Sequence, residues 1–196
     1  MFEVRIHGRG GQGVVTATEM LSLAAFDEGR YAQAFPSFGS ERMGAPVVAF
    51  CRIDDREIRT REPVMEPDAL IIQDATLLHQ VDVFGGCKRD GFILINTAKC
   101  FDGLGLGHFV GDFHPERLLT VPASELAREH TGRAVANAAL LGGFAALSGF
   151  ISLDAVSRAI RERFAGAVAD GNVAAAKAAH TWVTDELREL SGATPA

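Results

Sequence analysis

The stretch FEVRIHGRGGQGVVTATEMLSLAAFDE, running from Phe2 to Glu28, decides the fold. Residues 2–7 alternate Phe, Val and Ile with Glu, Arg and His, the period-two pattern of a strand with one more apolar face. Residues 8–13 form a glycine-rich turn. From residue 14 the period changes. Val14, Ala17, Leu21, Ala24 and Ala25 recur at helical spacing, and Gly29 is placed to stop the helix. Strand, glycine turn and helix in that order open an α/β domain.

The alternation continues outward from this unit. Residues 30–35 read as a second strand and 47–53 as a third, with 57–59 returning from it as a hairpin. Residues 69–73, 92–96 and 118–122 are short apolar runs suited to buried strands. Helices are predicted over 74–84, 124–130, 137–148, 152–164 and 172–190. The predicted fold is α/β: one domain over residues 1–190, a mainly parallel sheet with helices on both faces, and an antiparallel edge hairpin. Residues 191–196 are predicted to be a flexible tail.

Composition excludes several classes. The 196 residues suit one domain, and 47% hydrophobic with 22% charged rules out disorder and collagen. Net charge is −6, so the basic footprint of a nucleic-acid binder is missing. The longest apolar stretch, 134–151, is interrupted by Asn137, Gly142, Gly143, Ser148 and Gly149 and does not read as a membrane span. The opening residues turn glycine-rich too early for a secretory signal, so a cytoplasmic protein is expected. Cys51, Cys87 and Cys100 are widely spaced with no C-x-x-C, which excludes a self-contained iron–sulfur or zinc cluster and reads as buried free thiols.

Two segments carry chemistry. Gly8, Gly10 and Gly13 satisfy G-x-G-x-x-G between a strand and a helix, where free backbone N–H groups favour a phosphate. Arg9, Gly11 and Gln12 complete this candidate cofactor-binding loop. A dinucleotide site also needs an acidic residue ending the second strand. Residues 31–35, YAQAF, have none, and Asp27 and Glu28 fall on the helix end. A phosphate site, an NAD(P) site and glycines that merely pack helix against strand all stay open. The second segment is FPSFGSERMGAP, residues 35–46. Ser37, Phe38, Gly39, Ser40, Glu41 and Arg42 form a candidate docking or ligand loop, aromatics beside an arginine, near the glycine turn at the carboxyl edge of the sheet. The six histidines are scattered, and no H-E-x-x-H, G-x-S-x-G or Walker loop occurs. No catalytic residue and no metal ligand is expected of this chain alone.

These segments resemble a known family. GRGGQGVVTATEML from Gly8, YAQAFPSFGSERMGAPVVAFCRI from Tyr31, PDALIIQDATLL from Pro67, GFILINT from Gly91 and RAVANAALLGGFAAL from Arg133 are similar to the gamma subunits of the 2-oxoacid:ferredoxin oxidoreductases, of which the pyruvate enzyme is the type member. The resemblance implies a Rossmann-like subunit that packs against alpha, beta and delta partners and helps form the coenzyme A side of the active site. It implies oxidative decarboxylation of a 2-oxoacid, pyruvate or a phenylglyoxylate-like acid, to acyl-CoA and CO2. Thiamine diphosphate, Mg and [4Fe-4S] clusters would sit in the partner subunits, with ferredoxin or NAD as acceptor and an additional NAD-linked electron-transfer subunit left open. Neither nucleic acid nor membrane is an expected partner. It singles out the two loops already named. Residues 101–113, FDGLGLGHFVGDF, depart from the family pattern in being more glycine-rich. A free-standing NAD(P)-binding oxidoreductase and a purely structural assembly subunit are the competing readings.

Overall fold

The computed structural model describes residues 1–37 and 43–192. The strands are β1 (Phe2–Arg9), β2 (Tyr31–Pro36), β3 (Pro46–Asp54), β4 (Ala69–Ile72), β5 (Phe92–Asn96) and β6 (Leu118–Val121). They form one sheet in the order β2-β3-β1-β4-β5-β6. β1, β4, β5 and β6 pair in parallel, while β3 pairs antiparallel with both β1 and β2. The antiparallel edge expected from the sequence is present, but its arms are β2 and β3. Residues 57–59 form no strand. Instead the chain after β3 is held by two buried guanidinium groups: Arg52 donates to the Glu62 carbonyl at 2.6 Å and Arg5 to the Val64 carbonyl at 3.4 Å.

The helices are α1 (Val14–Asp27), α2 (Gly107–Val110), α3 (Ala123–Thr131), α4 (Asn137–Ser148), α5 (Leu153–Arg163) and α6 (Gly166–Leu190). Strand alternation sorts the core into two layers. Val4, Ile6, Cys51, Ile71 and Leu94 face α1, α4 and α6, and Phe144 of α4 is buried among them. The opposite face carries Leu70, Ile72, Ile93, Ile95 and Leu118. That face is covered by short helical turns and by Phe84, Phe101, Phe109 and Phe113. The glycine-rich segment 101–113 is therefore an aromatic cover for the second face.

Two helices differ in extent from the sequence reading. Residues 74–84 hold only a short 3-10 turn, Ala75–His79, capped by the Asp74 side chain accepting from Thr76 N. The residues that follow, Val81, Asp82 and Val83, are poor helix formers, and Arg5 takes the carbonyls of Val83 and Gly85 at 3.1 and 2.5 Å. α6 begins at Gly166, six residues before the expected start at 172. The added turns run through Gly171, which packs against the carbonyl of His130 at the end of α3. The thiols also differ. Cys51 is buried, Cys87 half-buried and Cys100 exposed. Burial pushes the Cys51 thiol up to about 12.

Candidate functional site

β1 and β4 run side by side at the centre of the sheet, but the segments that follow them part to opposite faces, α1 to one and the Ala75–His79 turn to the other. In an open α/β sheet that divergence opens a crevice at the carboxyl ends of the strands. The glycine turn sits there. Gly8 is buried beneath Val14, where an added Cβ would come within 2.6 Å of the valine methyl. Gly13 is the N-cap of α1 at φ 74°, a left-handed conformation that favours glycine.

α1 starts without a side-chain cap and without an acidic residue in its first turn. Its first helical hydrogen bond runs from Ala17 N to Gly13 O at 2.9 Å, so the amides of residues 14–16 precede it and point out of the helix end. The uncompensated dipole makes this end positive.

Two adjoining clefts meet at that helix end and share Gly11, Gly13 and Thr16. The larger, about 560 Å³, is also lined by Arg133, Asn137, Arg163 and Phe164. The smaller, about 310 Å³, is walled by Arg9, Gly10 and Val47. Asn137 is 3% exposed. Its Oδ1 accepts from Ala138 N at 2.8 Å, and its Nδ2 faces Gly13 and the larger cleft. Arg133 is exposed, and Arg163 reaches Glu19 only at 3.8 Å on the surface. Among the described residues no Asp or Glu lines either cleft. Helix amides, two arginines and an asparagine amide thus converge on a groove that no carboxylate of the described residues lines. That chemistry suits an anion.

The sequence-predicted residues divide within it. Gly11 and Gly13 line both clefts, and Arg9 and Gly10 line the smaller one. Gln12 turns away and donates to Asp74 at 2.7 Å. Arg9 spends its guanidinium inside the chain: Nε on Asp74 at 3.1 Å, and the terminal nitrogens on Gly44 O, Thr76 Oγ1 and Gln80 Oε1 at 3.0, 2.7 and 2.8 Å. Of the expected docking loop, Ser37 donates its amide to Val48 O at 2.8 Å. Phe38, Gly39, Ser40, Glu41 and Arg42 lie outside the described residues. The loop's far foot is described: Met43 is 88% exposed and bridges to Gly10. Sequence reasoning assigned no role to Asp74, Arg133, Asn137 or Arg163. For Asp74 a signal existed, since the loop after the neighbouring parallel strand must flank the glycine turn. The other three come from helix ends remote in sequence, and nothing local marks them.

A family profile described as pyruvate ferredoxin/flavodoxin oxidoreductase matches residues 3–182. The chain belongs to this family. Within it, the chain is 45% identical over 180 residues to pyruvate synthase subunit PorC of Methanothermobacter marburgensis, covering 92% of this chain and 96% of that protein. It is 45% identical over 179 residues to the pyruvate/ketoisovalerate oxidoreductases common subunit gamma of Thermococcus kodakarensis, covering 91% and 95%. The crystal structure of pyruvate oxidoreductase subunit PORC from Thermotoga maritima superposes with a TM-score of 0.77 at 34% identity, covering 92% of this chain and 95% of that one. The family resemblance and the α/β fold expected from the sequence both hold. Among the described residues no three His, Cys, Asp or Glu side chains group as metal ligands, and no helix is long and apolar enough to cross a membrane.

Proposed function

We propose that this chain is the gamma subunit of a multi-subunit 2-oxoacid oxidoreductase, and that the groove across the start of α1 forms the coenzyme A side of its active site. The observation that carries the proposal is the helix end without a side-chain cap or an acidic first turn, in a cleft also lined by Arg133 and Arg163. Coenzyme A is an extended polyanion, with a pyrophosphate and a separate sugar phosphate, and needs several donors spread along a groove. The amides of the first turn suit one phosphate group, the two guanidinium groups suit another, and Phe164 adds apolar surface to the lining.

In this reading the chain does no bond chemistry. Alpha, beta and delta partners would supply thiamine diphosphate, Mg and [4Fe-4S] clusters, and electrons would leave through ferredoxin or NAD. The relatives named for pyruvate favour pyruvate over a phenylglyoxylate-like acid as substrate of the complex. A cytoplasmic complex belongs to the same reading. Against an NAD(P) site, the carboxylate just beyond the parallel neighbour β4, Asp74, is already engaged by Arg9, Gln12 and Thr76 and so is not free to hold a ribose.

The test is steady-state kinetics of the assembled complex carrying Arg133→Ala. One charge-assisted hydrogen bond is worth roughly 1.5–3 kcal/mol, or about tenfold to over a hundredfold in affinity. The KM for coenzyme A should rise by that order while the KM for the 2-oxoacid holds. An unaltered coenzyme A KM would overturn the assignment of the groove.

A further inference from the structure

We propose that Asp74 is the positioning residue of this groove: one carboxylate holds the glycine turn and the foot of the neighbouring loop in the shape that presents the α1 amides. The proposal deepens the coenzyme A reading and rests on it for its ligand. Asp74 stands just beyond β4, on the far side of the crevice from the turn.

Its Oδ2 accepts from Arg9 Nε at 3.1 Å and from Gln12 Nε2 at 2.7 Å. Its Oδ1 accepts from the Thr76 amide at 2.9 Å and from the Thr76 hydroxyl at 2.5 Å. Gln12 closes the inner link, its Oε1 accepting from Arg9 N at 2.8 Å, so it braces the turn from end to end. Arg9 carries the link outward to Gly44 O at 3.0 Å. Gly10 then exchanges backbone bonds with residues 44 and 45, accepting from Gly44 N at 3.1 Å and donating to Ala45 O at 2.9 Å. Three segments far apart in sequence, 8–13, 43–45 and 74–80, thus meet at the Arg9 guanidinium, which Asp74 holds at its Nε. Met43 rests against the outer side of the turn, its sulfur where a side chain on Gly11 would have to go.

None of these groups is needed merely to close the sheet, whose β1–β4 pairing ends at His7 and Ile72. What the carboxylate adds is a single conformation for the turn. Burial alone would raise the Asp74 carboxyl. The Thr76 hydroxyl, the Gln12 amide, the Thr76 backbone and Arg9 outweigh that and hold it below the usual carboxylate range. Without the negative charge Gln12 and Arg9 lose their common charged acceptor, and the turn keeps only the Arg9 bonds to Gly44, Thr76 and Gln80 and the Gly10 backbone bonds, which fix it less tightly. A site only loosely supported behind its contact groups loses affinity without losing its fold.

The experiment uses Asp74→Asn, which keeps the shape but replaces an acceptor oxygen by a donor. Amide hydrogen exchange of the purified full chain should quicken at least about tenfold at residues 10–13 and 43–45, with β4 and β5 unchanged. In the assembled complex the same variant should raise the coenzyme A KM on the order of tenfold, with kcat and the 2-oxoacid KM held. Arg133→Ala, which leaves the turn intact, reports on the coenzyme A reading alone. Unchanged exchange at the turn overturns the positioning role, whatever the kinetics. Faster exchange with an unmoved coenzyme A KM, beside a raised one in Arg133→Ala, overturns it while the ligand reading stands. If neither variant moves the coenzyme A KM, both fall. Should Asp74→Asn not fold, Gln12→Leu removes the inner brace alone and must loosen the same residues and shift the same KM, and a tight turn in that variant overturns the proposal.

Discussion

Gly142 of α4 lies directly on the main chain of Ala176 in α6, so close that a Cβ at 142 would overlap the Ala176 carbonyl oxygen. The overlap would fall on backbone, which cannot swing aside as a side chain would. This contact sets how near the two helices approach beneath the larger cleft. Gly142→Ala should therefore force α4 and α6 apart and cost about 1–3 kcal/mol, the usual penalty of overpacking. Urea unfolding of the purified chain checks this. An unchanged midpoint would mean that the helices do not meet here.

His7 supplies a pH dependence. It is 5% exposed, and neither ring nitrogen finds a hydrogen-bond partner. Burial, with Arg5 nearby, pushes its pKa down to about 4, only partly offset by Asp82. In the unfolded chain the imidazole takes a proton near pH 6.5, so between about 6.5 and 4 the unfolded state binds the extra proton. Stability is therefore full above about pH 6.5 and falls toward pH 4, by about 3 kcal/mol in all. His7→Phe should flatten that part of the curve. Unfolding midpoints measured across this range give the answer, and a parallel pH dependence in the variant would assign the loss elsewhere.

Gly13→Ala tests the helix start. Its φ of 74° is strained for alanine by about 1–2 kcal/mol, and the new methyl would meet Asn137 Nδ2 at 2.7 Å. Both effects fall on the groove. The coenzyme A KM of the assembled complex should rise while the melting temperature drops by only a few degrees. A fall in melting temperature with no kinetic change would reduce Gly13 to a packing residue.

Arg5 tests the second face. Its guanidinium, 8% exposed as a residue, holds the carbonyls of Val64, Val83 and Gly85. Arg5→Met keeps the stem but strands those acceptors, a loss of roughly 1–3 kcal/mol. Residues 62–66 and 82–85 should then become the first sites of limited proteolysis. Cleavage confined to other segments would contradict this.

The chain purified alone should be colourless and without oxidoreductase activity, because in the proposed complex the redox groups belong to partner subunits. Visible absorbance and iron analysis of the single polypeptide decide it. A brown, iron-containing preparation would sink the assignment.

The sequence by itself determined the parts set by local pattern. Alternation over 2–7 and helical spacing from 14 follow from the two side-chain periods, so β1, the turn and α1 were legible, as were β4, β5 and α4. The segments from Gly8, Tyr31 and Arg133 were enough to reach the family. Tertiary structure decided the rest, since it turns on which distant segments become neighbours. Arg9 looked like a cation beside a phosphate loop, and only the arrival of residues 74–80 across the crevice, with Gly44 from the neighbouring loop, gave its guanidinium four partners. β3 looked like the start of a hairpin into 57–59, but β1 and β2 offered it pairing on both edges. Arg133 and Asn137 fall in a segment that carries the family resemblance, but nothing in sequence marks them or Arg163 as ligand groups, because their charges and donors become a site only when the ends of α3, α4 and α5 close on the start of α1. Hydrophobic period is a property of neighbours along the chain. An anion site is a property of helix ends brought together by a core, and no single window of sequence contains it.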